Sequence, residues 1–95
     1  MIARKYFLCI DDDEDDCSLL NEALQKFDTN VKLHFAKSGD DAVLILRDNL
    51  RNHNLPELIT LDINMPGLNG WDTLIEIQTI LGDKFVPIVF LTTTP

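Results

Sequence analysis

The sequence is 95 residues long, 45% hydrophobic and 25% charged, with a net charge of −8 from 8 basic and 16 acidic side chains. That describes one small domain, residues 1–95, with enough apolar residues for a core. It lacks the basic patch of a nucleic-acid binder, has no attraction to an anionic membrane surface, and has no run near the roughly 20 apolar residues of a membrane span. The acidity is local. Asp11 to Asp16 are six consecutive acids, and without them the chain would carry −2. A cation is the natural partner for that run.

The N-terminal Met1 to Lys5 holds two positive charges, but Tyr6 to Ile10 is far too short for the apolar part of a secretory signal. The expectation is a cytoplasmic protein that does not bind membranes. Tyr6 to Ile10 reads as a first buried strand. A helix follows the acidic run, with Leu19, Leu20, Ala23, Leu24 and Phe27 forming one apolar stripe and Asp15 and Asp16 in or before its first turn, where negative charge suits the helix dipole. Cys9 falls in the strand and Cys17 in the helix. Two cysteines with no further ligands nearby read as reduced core thiols rather than a disulfide or a metal pair.

Val31 to Ala36 alternates apolar and polar, as a half-buried edge strand does, and places His34 on the polar side. Ser38 caps a second helix that has acids in its first turn and Ala42, Val43, Leu46 and Leu50 on its inner face. His53 lies in a polar loop and receives no role. Leu58 to Leu61 is a third strand, ended by Asp62. Met65-Pro66-Gly67 then breaks regular structure. Gly70 to Leu81 reads as a third helix, closed by Gly82. Val86 to Leu91 is a fourth strand with Pro87 near its start. Strands alternating with helices imply a doubly wound parallel sheet with right-handed crossovers.

In the order 2-1-3-4, strands one and three are neighbours. Asp11 and Asp12 then converge with Asp62, and Thr92 leaves strand four on the same edge, where ligands bind in such sheets. Asp62 alone would be read as capping its turn. Three crowded carboxylates call for a cation, and oxygen ligands suit Mg²⁺ or Mn²⁺. Two other patterns fail. Asp11, Asp13, Asp15 and Glu22 match an EF-hand loop, but Asp16 replaces its required Gly and a strand precedes it. The haloacid-dehalogenase pattern Asp-x-Asp-x-Thr/Val lacks its Thr or Val after Asp13 and its second Asp after Asp62.

Phe7 to Asp13, Ser38-Gly39-Asp40-Asp41-Ala42, Pro56 to Ile59, Leu61 to Gly70 and Pro87 to Thr92 run in this order over nearly the whole chain. In that set the sequence resembles the receiver domain of two-component response regulators, a flavodoxin-like α/β fold. The resemblance implies that Asp62 is the phosphoacceptor. The donor would be a phosphohistidine on a histidine kinase or histidine phosphotransfer protein. It implies that Asp12 and Asp62 ligate Mg²⁺ through side chains and Asn64 through its backbone carbonyl, with Asp11 a secondary ligand or acting through water. Thr92 is the implied switch hydroxyl, and Asn64 and Thr94 match positions that tune the lifetime of the aspartyl phosphate. The family catalyses its own phosphorylation and dephosphorylation rather than serving as a dedicated enzyme. Asp13 to Asp16 exceed what such a site needs and read as a solvated loop and helix start.

One departure is large. The sequence stops before the family's fourth helix, fifth strand and fifth helix, and before the Lys that ends the fifth strand. Lys84 precedes strand four at the wrong end of the sheet to replace it. A second reading therefore stands beside the first: a non-phosphorylated interaction module that self-associates through an exposed fourth strand.

Overall fold

The computed structural model describes residues 5–28, 30–62 and 70–91. Within them the order is β1 (Tyr6–Ile10), α1 (Glu14–Phe27), β2 (Lys32–Ala36), α2 (Gly39–Arg51), β3 (Leu58–Asp62), α3 (Gly70–Leu81) and β4 (Ile88–Leu91). The four strands form one parallel sheet in the order β2-β1-β3-β4. The strand order and α/β alternation are those expected from the sequence. β1 is flanked on both sides: Leu8 pairs with His34 of β2 and with Ile59 of β3.

The two faces of the sheet differ. Tyr6, Leu8 and Ile10 of β1 and Ile59 and Leu61 of β3 join Ala42 and Leu46 of α2 and Ile77 and Leu81 of α3 in the main core. α2 packs on α3 over this face. α1 covers the other face, and the side it buries is not the full expected stripe. Cys17 is buried, Leu20, Asn21 and Leu24 are half-buried, and Leu19, Ala23 and Phe27 are exposed. The 17-20-21-24 spacing is one helical face, rotated by roughly a quarter turn from the stripe of aliphatic and aromatic side chains.

The cysteines also depart from expectation. Cys9 and Cys17 are joined by a disulfide, with Cα atoms 6.2 Å apart, inside the usual span of a bridge. Cys9 points from β1 toward α1, away from the main core, and the register of α1 sets Cys17 opposite it.

Helix ends follow their capping chemistry. The Asp13 side chain accepts from the Asp15 N–H at 2.9 Å and caps α1. Ser38 Oγ accepts from the Asp41 N–H at 3.1 Å and caps α2. At the end of α2 the Asn54 N–H bonds the Asn49 carbonyl at 2.8 Å and the His53 N–H bonds the Leu50 carbonyl at 3.2 Å, while His53 takes φ 55°. This is a Schellman closure in which His53 occupies the left-handed position usually given to Gly. Gly82, at φ 59°, closes α3, as its position in the sequence indicated.

At the same end of the sheet Tyr6 is tied down. Its hydroxyl donates to the Asn54 carbonyl at 3.0 Å and accepts from the Asn49 side chain, and its ring lies against His34, centroids 4.9 Å apart. Burial pushes the Tyr6 pKa up to about 12, with the Asn49 hydrogen bond opposing the shift.

Candidate metal and phosphoacceptor site

The C-terminal edge of the sheet is built by β1 and β3. β1 keeps its pairing for one residue past its end, because the Asp11 N–H bonds the Ala36 carbonyl at 3.0 Å. That fixes the backbone from which the Asp11 side chain leaves. Asp62 is the last residue of β3, paired with Leu91 of β4. Asp11 and Asp62 are 1% and 3% exposed, and Asp12 is exposed. Each of the three offers a carboxylate oxygen, and these oxygens lie within 4.8 Å of one another. An octahedral Mg²⁺ shell is of that breadth, about 4.2 Å between opposite oxygens.

The two oxygens of Asp11 have different fates. Oδ1 accepts the Asp13 N–H at 2.9 Å. Oδ2 is fully buried and has no hydrogen-bond partner among the described residues. An orphaned buried carboxylate oxygen is costly in water-free surroundings. The Asp11 pKa is raised to about 6: burial is the main cause, the Asp13 N–H opposes it, and the charges of Asp62 and Asp16 and the adjoining Asp12 carboxyl add to it. These residues fit a divalent cation. It would replace the missing partner of Oδ2 and relieve the repulsion among the carboxylates.

Of the residues singled out in the sequence, Asp11, Asp12 and Asp62 are brought together here. Asn64, Thr92 and Thr94 lie outside the described residues. Asp13 to Asp16 form the cap and first turn of α1, as their reading as a helix start required. Lys84 borders a small pocket with Leu50, His53 and Leu55 at the opposite end of the sheet, so it does not reach the carboxylates. The bridge between Cys9 and Cys17, which spans the loop bearing Asp11 and Asp12, carried no signal in the sequence beyond the presence of two cysteines.

A parallel 2-1-3-4 sheet with a carboxylate triad at the ends of its central strands defines a receiver-type α/β domain with an acidic cation pocket. Comparison with known proteins agrees. Residues 7–95 match the response regulator receiver domain, and the chain belongs to that family, the receivers of two-component signalling.

It is 32% identical over 92 residues to the response regulator Rcp1 of Synechocystis, covering 95% of this chain and 63% of that protein. It is 39% identical over 85 residues to the uncharacterized transcriptional regulatory protein YrkP of Bacillus subtilis, covering 90% of this chain and 32% of that one. The chain thus spans about a third to just under two thirds of these relatives. Among solved structures, the receiver domain of the histidine kinase CKI1 from Arabidopsis thaliana, in complex with Mg²⁺ and BeF₃⁻, superposes with a TM-score of 0.81 at 19% identity, covering 96% of this chain and 68% of that one.

Proposed function

We propose that this chain is the phosphoacceptor part of a two-component phosphorelay protein acting in the cytoplasm, with Asp62 as the acceptor. The observation that carries this reading is the buried oxygen of Asp11, without a hydrogen-bond partner among the described residues, inside a three-carboxylate cluster at the ends of β1 and β3. A carboxylate oxygen of Asp62 attacks the phosphorus of a phosphohistidine on a histidine kinase or histidine phosphotransfer protein. The P–O bond forms, the P–N bond breaks, and its electron pair stays on the imidazole nitrogen. Asp12 and Asp62 would hold Mg²⁺, or Mn²⁺ in its place, with the Asn64 carbonyl, and Asp11 would serve as a further or water-mediated ligand. The bound cation supplies neutralisation of phosphoryl charge. The buried Oδ2 of Asp11, without a hydrogen-bond partner among the described residues, would offer the cation a further ligand atom. Thr92 is the switch hydroxyl, and Asn64 and Thr94 set the phosphate's lifetime; the support for these three roles is the family match over residues 7–95.

The test is intact mass of this chain after incubation with acetyl phosphate and Mg²⁺. One added phosphoryl group that disappears in Asp62→Asn is the expected result. Labelling that survives Asp62→Asn overturns the assignment.

A second reading has its own observation. β4 pairs only with β3 among the described residues, and Phe85, Val89 and Phe90 on or beside it are exposed. Self-association through this edge is expected to appear in sedimentation at tens of micromolar, about where exposed apolar surface drives association. A stable monomer there removes this reading.

A further inference from the structure

We propose that Cys9 and Cys17 form a reversible dithiol–disulfide pair that regulates cation binding at the acidic site, through thiol–disulfide exchange with a dithiol reductant or a disulfide oxidant. The proposal rests on the phosphoacceptor reading of that site. Its basis is placement. Cys9 lies in β1, two residues before Asp11, and Cys17 lies in α1, one residue after Asp16. The bridge therefore closes a ring around the segment that carries Asp11, Asp12 and the capping residue Asp13. Six consecutive acids in that segment repel one another, and a covalent tie between strand and helix opposes their spreading. Without it, the start of α1 is held by the Asp13 cap, by the Asp13 N–H to Asp11 bond and by packing.

The sulfurs are not equivalent in access. Both residues are buried, 1% and 2% exposed, but Cys17 borders an open pocket of about 170 Å³ with Glu14, Ser18, Asn21, Leu33 and Phe35. Cys9 does not line it. An incoming thiolate thus meets Cys17 Sγ. A new S–S bond forms to Cys17, the Cys9–Cys17 bond breaks, and its electron pair leaves on Cys9 Sγ, which takes a proton. The second thiol of the reductant then displaces Cys17 as its thiol. The protein gains two electrons and two protons, and the reductant leaves as a cyclic disulfide. A disulfide oxidant reverses every step. In a reducing compartment, disulfides that do form are mostly transient or sensory, which suits a bridge that flanks the segment bearing Asp11 and Asp12 better than a permanent staple.

The test uses the unmodified chain, equilibrated in buffers of reduced and oxidised dithiothreitol. Alkylation after unfolding, read by intact mass, counts thiols: none in the oxidised form and two in the reduced form. Mn²⁺ binding is then measured on each. The expected result is a dissociation constant roughly three- to tenfold higher in the reduced form, a fraction of what closing a loop of this length contributes. The Cys9→Ala/Cys17→Ala double variant is expected to show one affinity in both buffers. Failure of the thiols to pair under oxidising conditions overturns the proposal. So does equal Mn²⁺ affinity in both forms, which leaves the phosphoacceptor reading standing. Absence of Mn²⁺ binding in the oxidised and the reduced form alike overturns both.

Discussion

Replacing Asp11 by Asn should stabilise the cation-free protein at neutral pH. In the fold the Asp11 carboxyl titrates at about 6 instead of 3.8, chiefly because it is buried. Between those values the folded state holds a proton that the unfolded chain releases, so stability falls as pH rises through that window and stays low above it. A shift from 3.8 to about 6 corresponds to about 3 kcal/mol of penalty on the ionised, folded form. Asn carries no charge, its carbonyl can still accept the Asp13 N–H, and its amide faces the carboxylates of Asp12 and Asp62. Each kcal/mol moves the midpoint by about 4–8 °C in a domain of this size, so a rise of about 12–24 °C at pH 7.5 without divalent cations is expected. Thermal unfolding followed by circular dichroism from pH 3.5 to 8 measures it. The wild type should lose stability between about pH 4 and 6 relative to the variant. Added Mg²⁺ should raise the midpoint of the wild type more than that of the variant. A variant less stable than wild type at pH 7.5, with a parallel pH profile, refutes the reasoning.

Tyr6→Phe removes a hydroxyl that bridges Asn49 and the Asn54 carbonyl, and a loss of about 1–2 kcal/mol in urea unfolding is expected. Because the Tyr6 pKa is raised to about 12, the wild type should also lose stability as pH climbs from about 10 to 12. The Phe variant should lack that component of alkaline unfolding. His53→Gly relieves a side chain held at positive φ and is expected to gain about 0.5–1 kcal/mol, read as a higher denaturation midpoint with unchanged slope. Leu46→Ala empties a fully buried site between the sheet and α3 and is expected to cost about 2–5 kcal/mol; a cost below 1 kcal/mol would mean the core closes over the gap.

The acidic site was legible because its parts sit at strand ends, where an apolar run gives way to Asp11 or Asp62. Once the strand order was inferred, convergence followed from the pairing of β1 with β3. Side-chain direction on α1 was less legible. Leu19 and Phe27 look like core residues by type, yet they face solvent, because the buried face is set by where Cys17 meets the sheet. The disulfide was illegible for the same reason: two cysteines eight apart across a strand–loop–helix junction pair only if the helix is rotated to bring them together. His53 is a third instance. Its loop was read from composition as unremarkable, whereas backbone geometry makes it the closing residue of α2.

The central place of β1 has a consequence for how the protein opens and closes in solution. Among the described residues β1 and β3 each have two strand neighbours, whereas β2 and β4 have one. Backbone amides in the inner pair should be the last to exchange with solvent, since freeing them requires the whole sheet to part. Asp11 and Asp62 extend from or end these two strands. Fraying of β4 therefore leaves the β1–β3 pairing beneath Asp11 and Asp62 in register. Partial openings, the excursions a chain of this size undergoes most often, can then disturb the rim of the domain while preserving the pairing of the two strands that carry Asp11 and Asp62.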